Sequence, residues 1–186
     1  MATTRLLLLL LCTYPAFGHR LPQRHLLVQA KQSRALQPDA RTVLLQLAAQ
    51  ELGVRELSGR NDGPRVETYL HYVGMHKGQA WCAAFVSWLH GQAGLPKPRS
   101  GWSPALFPNS RKISNAQPGA ILGIYFPRLN RIGHVGLITG LQHDWVHAIE
   151  GNTNAAGSRE GDGVYRKLRH KRFINQYSSY LPLQTP

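Results

Sequence analysis

Apolar positions recur at helical spacing in the first half of this chain and in short β-branched runs in the second. Val43, Leu44, Leu47, Ala48, Leu52 and Leu57 predict a packing helix over residues 42–57, with Asp39 or Thr42 as its cap. Asn61-Asp62-Gly63-Pro64 then makes a turn, and Pro64 opens a second helix with Val66, Tyr69, Leu70 and Val73 as its inner stripe. Residues 80–89 are apolar nearly all round, no helix breaker falls among residues 82–90, and Gly94 and Pro96 supply a stop. That pattern predicts an interior helix with Cys82 in its first turn.

After a Pro-, Ser- and Arg-rich loop over residues 95–115, the pattern changes. Residues 119–126 read as a strand followed by a turn at 127–130. Residues 132–139 and 146–154 are two further strands about a turn at 140–144, residues 163–170 another, and residues 173–180 an edge or tail. Helices first and antiparallel strands afterwards define an α+β fold.

Composition narrows the setting. The 186 residues suit one globular domain, and an apolar fraction of 42% is enough for a core. Twenty-two Lys and Arg against nine Asp and Glu give a formal charge of +13. Such a charge predicts attraction to a polyanion and says nothing about fold. Residues 1–18 read as a secretory signal: Arg5, a short apolar core from Leu6 to Cys12, and Ala16-Phe17-Gly18 as a cleavage site. The apolar core is too short to span a bilayer, so no transmembrane segment is expected in the mature chain. Residues 19–40 form a basic linker, 41–180 the catalytic domain and 181–186 a tail. With Cys12 removed, Cys82 would be the one thiol of a chain exported beyond the cytoplasm.

The candidate chemistry centres on that thiol. A helix N-terminus carries partial positive charge, which favours a thiolate. A free cysteine ionises near ~8.5, and a helix N-terminus with a nearby histidine lowers this to about 3.5–7.5. His134 lies near the start of one strand, and Glu150 and Asn152 near the end of its neighbour, so an antiparallel pairing sets those ends side by side. A period of two puts Glu150 and Asn152 on one face, where either could orient the imidazole. A carboxylate stabilises an imidazolium more strongly than an amide does, so Glu150 is the expected orienting residue and Asn152 a secondary polar group. His143 and His147 lie four apart in a stretch that reads as strand, where such positions are too widely spread to share a metal, and no metal or cofactor is expected. Arg166, Lys167, Arg169, Lys171 and Arg172 read as a solvated strand edge or a polyanion contact.

Trp-Cys-Ala-Ala-Phe-Val at 81–86, Gly-His-Val-Gly at 133–136 and Glu-Gly-Asn at 150–152 resemble, in that order, the motifs of CHAP domains, the cysteine, histidine-dependent amidohydrolases/peptidases. The resemblance spans roughly residues 40–175. One departure is Ala120, which follows Pro118-Gly119 where that family often carries aspartate. The resemblance implies a papain-like fold, with a buried nucleophile helix packed on an antiparallel sheet, and cleavage of amide bonds in bacterial peptidoglycan, as amidase or as endopeptidase. It also implies that Asn61, ahead of the second helix, lines the cleft; the alternative is that Asn61 or Asp62 caps that helix. Trp81, Trp102 and Tyr125 complete the expected substrate contacts. The expected partners are peptidoglycan and anionic wall polymers rather than a specific nucleic acid, and the expected state is a monomer of the cell envelope or exterior. A non-enzymatic polyanion-binding protein would explain the charge but not the order of Cys, His and Glu. A secreted cysteine peptidase acting on proteins would share the chemistry without needing the charge.

Overall fold

A computed structural model describes residues 39–156 and 161–182. The expected signal and nearly all of the expected linker lie outside the described residues. No described helix is long and apolar enough to cross a membrane. The α+β reading agrees with the described residues, which form three α-helices and a six-stranded antiparallel sheet.

Helix α1 spans Ala40–Gln50, and the Asp39 side chain caps it by accepting from the Thr42 N–H at 2.8 Å. The periodicity predicted continuation to Leu57, but the helix stops seven residues earlier. Gly53, at φ +91°, takes the chain into the left-handed region, and Val54 and Arg55 then pair with residues 163 and 164. Leu57 is left 78% exposed. Helix α2, Pro64–Tyr72, starts on Pro64 and buries Val66, Tyr69 and Leu70. Its cap is Gly63 rather than Asn61 or Asp62. Helix α3, Cys82–Gln92, buries every residue from Cys82 to His90, as its all-round apolar sequence requires.

The strands are β1 Lys112–Ile113, β2 Ile121–Phe126, β3 Arg131–Gln142, β4 Trp145–Thr153, β5 Gly163–His170 and β6 Gln176–Ser178, in the spatial order β1-β6-β2-β3-β4-β5. One face sets Ile121, Val135, Leu137, Ile149 and Val164 against the helices; the other packs Leu122, Ile138, Val146 and Ala148 with Ile174 and Tyr177. The C-terminal segment is neither an edge nor a tail. β6 inserts between β1 and β2, Ser178 donates to the Leu106 carbonyl at 2.7 Å, and Leu181 is buried in the core.

An ion pair between the buried Glu51 carboxylate and a partly exposed arginine ties the end of α1 to α2. Glu51 accepts from Arg65 Nε at 2.8 Å and also from Arg65 Nη2 and the Tyr69 hydroxyl, while the guanidinium lies 4.5 Å from the centre of the Trp88 ring. Burial alone would raise the Glu51 carboxyl; the bonds from Arg65 and Tyr69 outweigh it and hold the carboxyl below its usual value. Because Arg65 is partly exposed, Glu51→Gln is expected to cost only about 1–2 kcal/mol at neutral pH, measured by urea denaturation. The folded-state value is depressed, so this contribution is present above the usual carboxylate value of 4.5 and lost as pH falls through the folded value. Wild type and variant should therefore converge in acid.

Candidate active site

Cys82 is the first residue of α3, so the unpaired N–H groups of that helix's first turn lie beside its thiol. It is 5% exposed, and Sγ lies 3.6 Å from the Ser103 hydroxyl. The sheet brings the histidine. Pairing of β3 with β4 sets Leu137 opposite Ile149, and the same register continued sets Gly136 opposite Glu150 and places His134 two residues further along. His134 Nε2 lies 2.8 Å from Glu150 Oε2. With Nε2 engaged there, Nδ1 is the nitrogen left for the side-chain hydrogen bond that joins His134 to Cys82.

Two glycines make this packing feasible. A Cβ on Gly136 would stand 2.5 Å from Glu150 Cγ, so the carboxylate can lie over β3 only because that position is bare. A Cβ on Gly151 would meet the Trp81 ring at 2.6 Å and Phe85 at 2.8 Å, where β4 passes over the start of α3.

Glu150 is fully buried and is held by a second cation. Arg169 Nε donates to Oε1 at 2.9 Å and Nη2 to Oε2 at 2.6 Å, a bidentate pair. Burial alone would push the Glu150 carboxyl up; Arg169 and His134 overcome it and keep the group ionised well below its usual range. Burial would likewise lower His134, but the Glu150 charge and the bonds from Cys82 and Glu150 raise it above an ordinary histidine. For Cys82 burial raises and the hydrogen bond and charge of His134 lower, with help from Ser103 and the Val135 backbone, and the thiol ends below its usual value. The group therefore favours a thiolate beside an imidazolium, a pair suited to attack on a carbonyl carbon and proton delivery to the departing group.

A cavity of about 750 Å³ opens over Cys82 and His134, within the range of small-ligand sites. Asn61 lines it. Its backbone adopts φ +55°, which asparagine tolerates, and its N–H donates to Glu56 Oε2 at 2.8 Å. Asn152 also lines the cavity, at φ +53°, where the β4–β5 pairing slips between Glu150 and Thr153. The strict alternation expected to put Glu150 and Asn152 on one face is broken at that bulge: Glu150 meets the imidazole from within the sheet, and Asn152 stands in the cavity wall.

The aromatic expectations fare differently. Trp81 is corrected: it is fully buried against Tyr69 and Phe85, and its indole N–H donates to Glu56 Oε1 at 2.8 Å, so it braces the loop bearing Asn61 instead of reaching a ligand. Trp102 is 52% exposed and stacks under the Arg131 guanidinium at 4.2 Å, and Arg131 lines the cavity. Tyr125 lies in an adjoining groove of about 380 Å³ that shares Arg131 with the main cavity. His143 and His147 are exposed, His143 in the turn between β3 and β4, and no group of three His, Cys, Asp or Glu among the described residues could hold a metal ion.

Two contributors escaped the sequence reading. Arg169 belongs to the basic run expected as a solvated strand edge or a polyanion contact, yet β5 lies beside β4 and its odd positions share the face of Glu150: Tyr165 is opposite Glu150, Lys167 opposite Ala148 and Arg169 opposite Val146. A basic residue alternating beside a strand with a buried acid was the available signal. Ser103 had none, because it sits in a short 3-10 turn whose place beside Cys82 is set by tertiary packing.

No protein-family model matches the sequence, and no curated protein matches it. Among solved structures, the chain is similar to the NlpC/p60 domain of the peptidoglycan hydrolase SagA, at 18% identity and a TM-score of 0.45, over 75% of this chain and 97% of that one.

Proposed function

We propose that the protein is a cysteine amidohydrolase of bacterial peptidoglycan. The observation that supports this best is the line Cys82, His134, Glu150 beneath an open cavity. In the reaction, the Cys82 thiolate attacks the amide carbonyl carbon. The developing oxyanion is held by the Cys82 backbone N–H at the helix start. The C–N bond breaks as the His134 imidazolium gives its proton to the leaving amine, which leaves a thioester. His134, now neutral, takes a proton from water as the water attacks, and the thiolate is released with the acid product. Glu150, anchored by Arg169, fixes the imidazole and stabilises its charged form; Ser103 donates to the thiolate.

The wall substrate rests on the three CHAP-like motifs and on a charge of +13 that draws the protein to an anionic polymer. Both N-acetylmuramoyl-L-alanine amidase and endopeptidase activity fit one such site, on a protein exported to the envelope or beyond. Incubation with purified sacculi tests the reading. Turbidity should fall with new amino groups and no new reducing ends; sacculi left intact, or reducing ends without amino groups, would remove it.

A further inference from the structure

The cavity wall facing Cys82 carries charge of one sign. Among the described residues, its ionisable lining consists of Arg128, Arg131, Arg169, His134 and Cys82 itself, with no aspartate or glutamate. Arg169 is already matched by Glu150. Arg128 and Arg131 have no carboxylate partner among the described residues. Both stand where β2 turns into β3, and that turn is pinned. Asn130 takes the left-handed conformation at φ +49°, the Tyr125 hydroxyl donates to Asn130 Oδ1, Arg131 Nη1 donates to the Ile132 carbonyl at 2.9 Å, and the Arg131 guanidinium stacks on Trp102. Arg131 is thus held in place with donors left over, and it forms the shared wall between the cavity and the adjoining groove.

A bound peptide excludes water from this corner and strengthens whatever charge interaction it makes there. A neutral or cationic group would leave two guanidiniums uncompensated; a carboxylate would accept from their planar forks. We infer that the Arg128–Arg131 turn is a carboxylate-recognition site, so that the enzyme selects peptides with a free carboxylate next to the scissile amide over their carboxamide counterparts. This deepens the hydrolase reading and rests on it.

The test uses two soluble muropeptides, alike except that one carries a free carboxylate and the other a carboxamide beside the scissile bond. Wild type should favour the carboxylate form by about tenfold or more in kcat/KM, the size of a charge-assisted hydrogen bond. Arg128→Gln and Arg131→Gln should each reduce that ratio toward one, chiefly through KM, and Arg131→Lys should restore only part of it because an ammonium lacks the fork. Arg128 is exposed, so its replacement leaves the fold intact even if Arg131→Gln does not. Equal turnover of both forms by wild type, or a preference unchanged in Arg128→Gln, overturns the inference and leaves hydrolysis standing. Cleavage of neither form overturns both.

Discussion

Cys82→Ser is expected to abolish amino-group release from sacculi, with a fall of at least about 10⁴-fold, comparable to loss of the nucleophile in other acyl-transfer enzymes. Serine fits the space of cysteine but not its electronic role. A thiol held below its usual value supplies the anion more readily, whereas a hydroxyl must lose its proton to a base during attack. Here that base is weakened in supply, because the Glu150 charge still raises His134 and disfavours its neutral form. An imidazolium cannot take the serine proton. Stability should also fall, by about 1–3 kcal/mol, since Cys82 is buried and its pairing with His134 is lost. Activity retained in Cys82→Ser would exclude the thioester route.

Glu150→Gln carries the second large effect, a fall in kcat of about 10³–10⁴-fold, by analogy with loss of the orienting carboxylate in other triads. One Glu150 carboxylate serves both His134 and Arg169. Glutamine has one acceptor oxygen and no charge, so it cannot satisfy both cations. His134 then keeps only the bond and charge of Cys82 against its burial, so it is lowered. The imidazolium is lost at lower pH, and the basic limb of the rate profile moves to lower pH with it. The acid limb, set by the thiol, moves to higher pH because a neutral imidazole lowers the thiol less.

The linkage signs for stability are opposite at the two groups. The contribution of raised His134 is complete below its ordinary value of 6.5 and lost as pH rises through the folded value; that of depressed Glu150 is complete above 4.5 and lost as pH falls through its folded value. Asn152→Ala, which removes a cavity-wall amide without touching this pair, should cost less activity than Glu150→Gln. The reverse order would transfer the orienting role to Asn152.

The residues that pointed to this site were those whose local pattern also determines where they sit. An all-round apolar run with a cysteine at its start has one stable place, inside the protein with the helix N-terminus at the cavity. Two β-branched runs about a short turn pair in one register, and that pairing carries His134 to Glu150. What stayed hidden depends on partners distant in sequence. α1 ends at Gln50 because the chain after Gly53 finds a strand more than a hundred residues away. Trp81 is an expected substrate contact, but as the residue before the helix it packs into the core against Tyr69 and Phe85. Arg169 looked like one charge among five, and only the β4–β5 register shows that it faces a buried carboxylate.

Whether Cys82 stands as a thiolate is read most directly from the pH dependence of its alkylation by iodoacetamide, in wild type and in His134→Ala. The expected midpoint in wild type lies below that of an ordinary thiol at about 8.5, and rises in His134→Ala as the imidazolium is removed and burial is opposed only by Ser103 and the Val135 backbone. A wild-type midpoint at or above the ordinary value, unmoved by His134→Ala, would contradict the ion pair on which the mechanism depends.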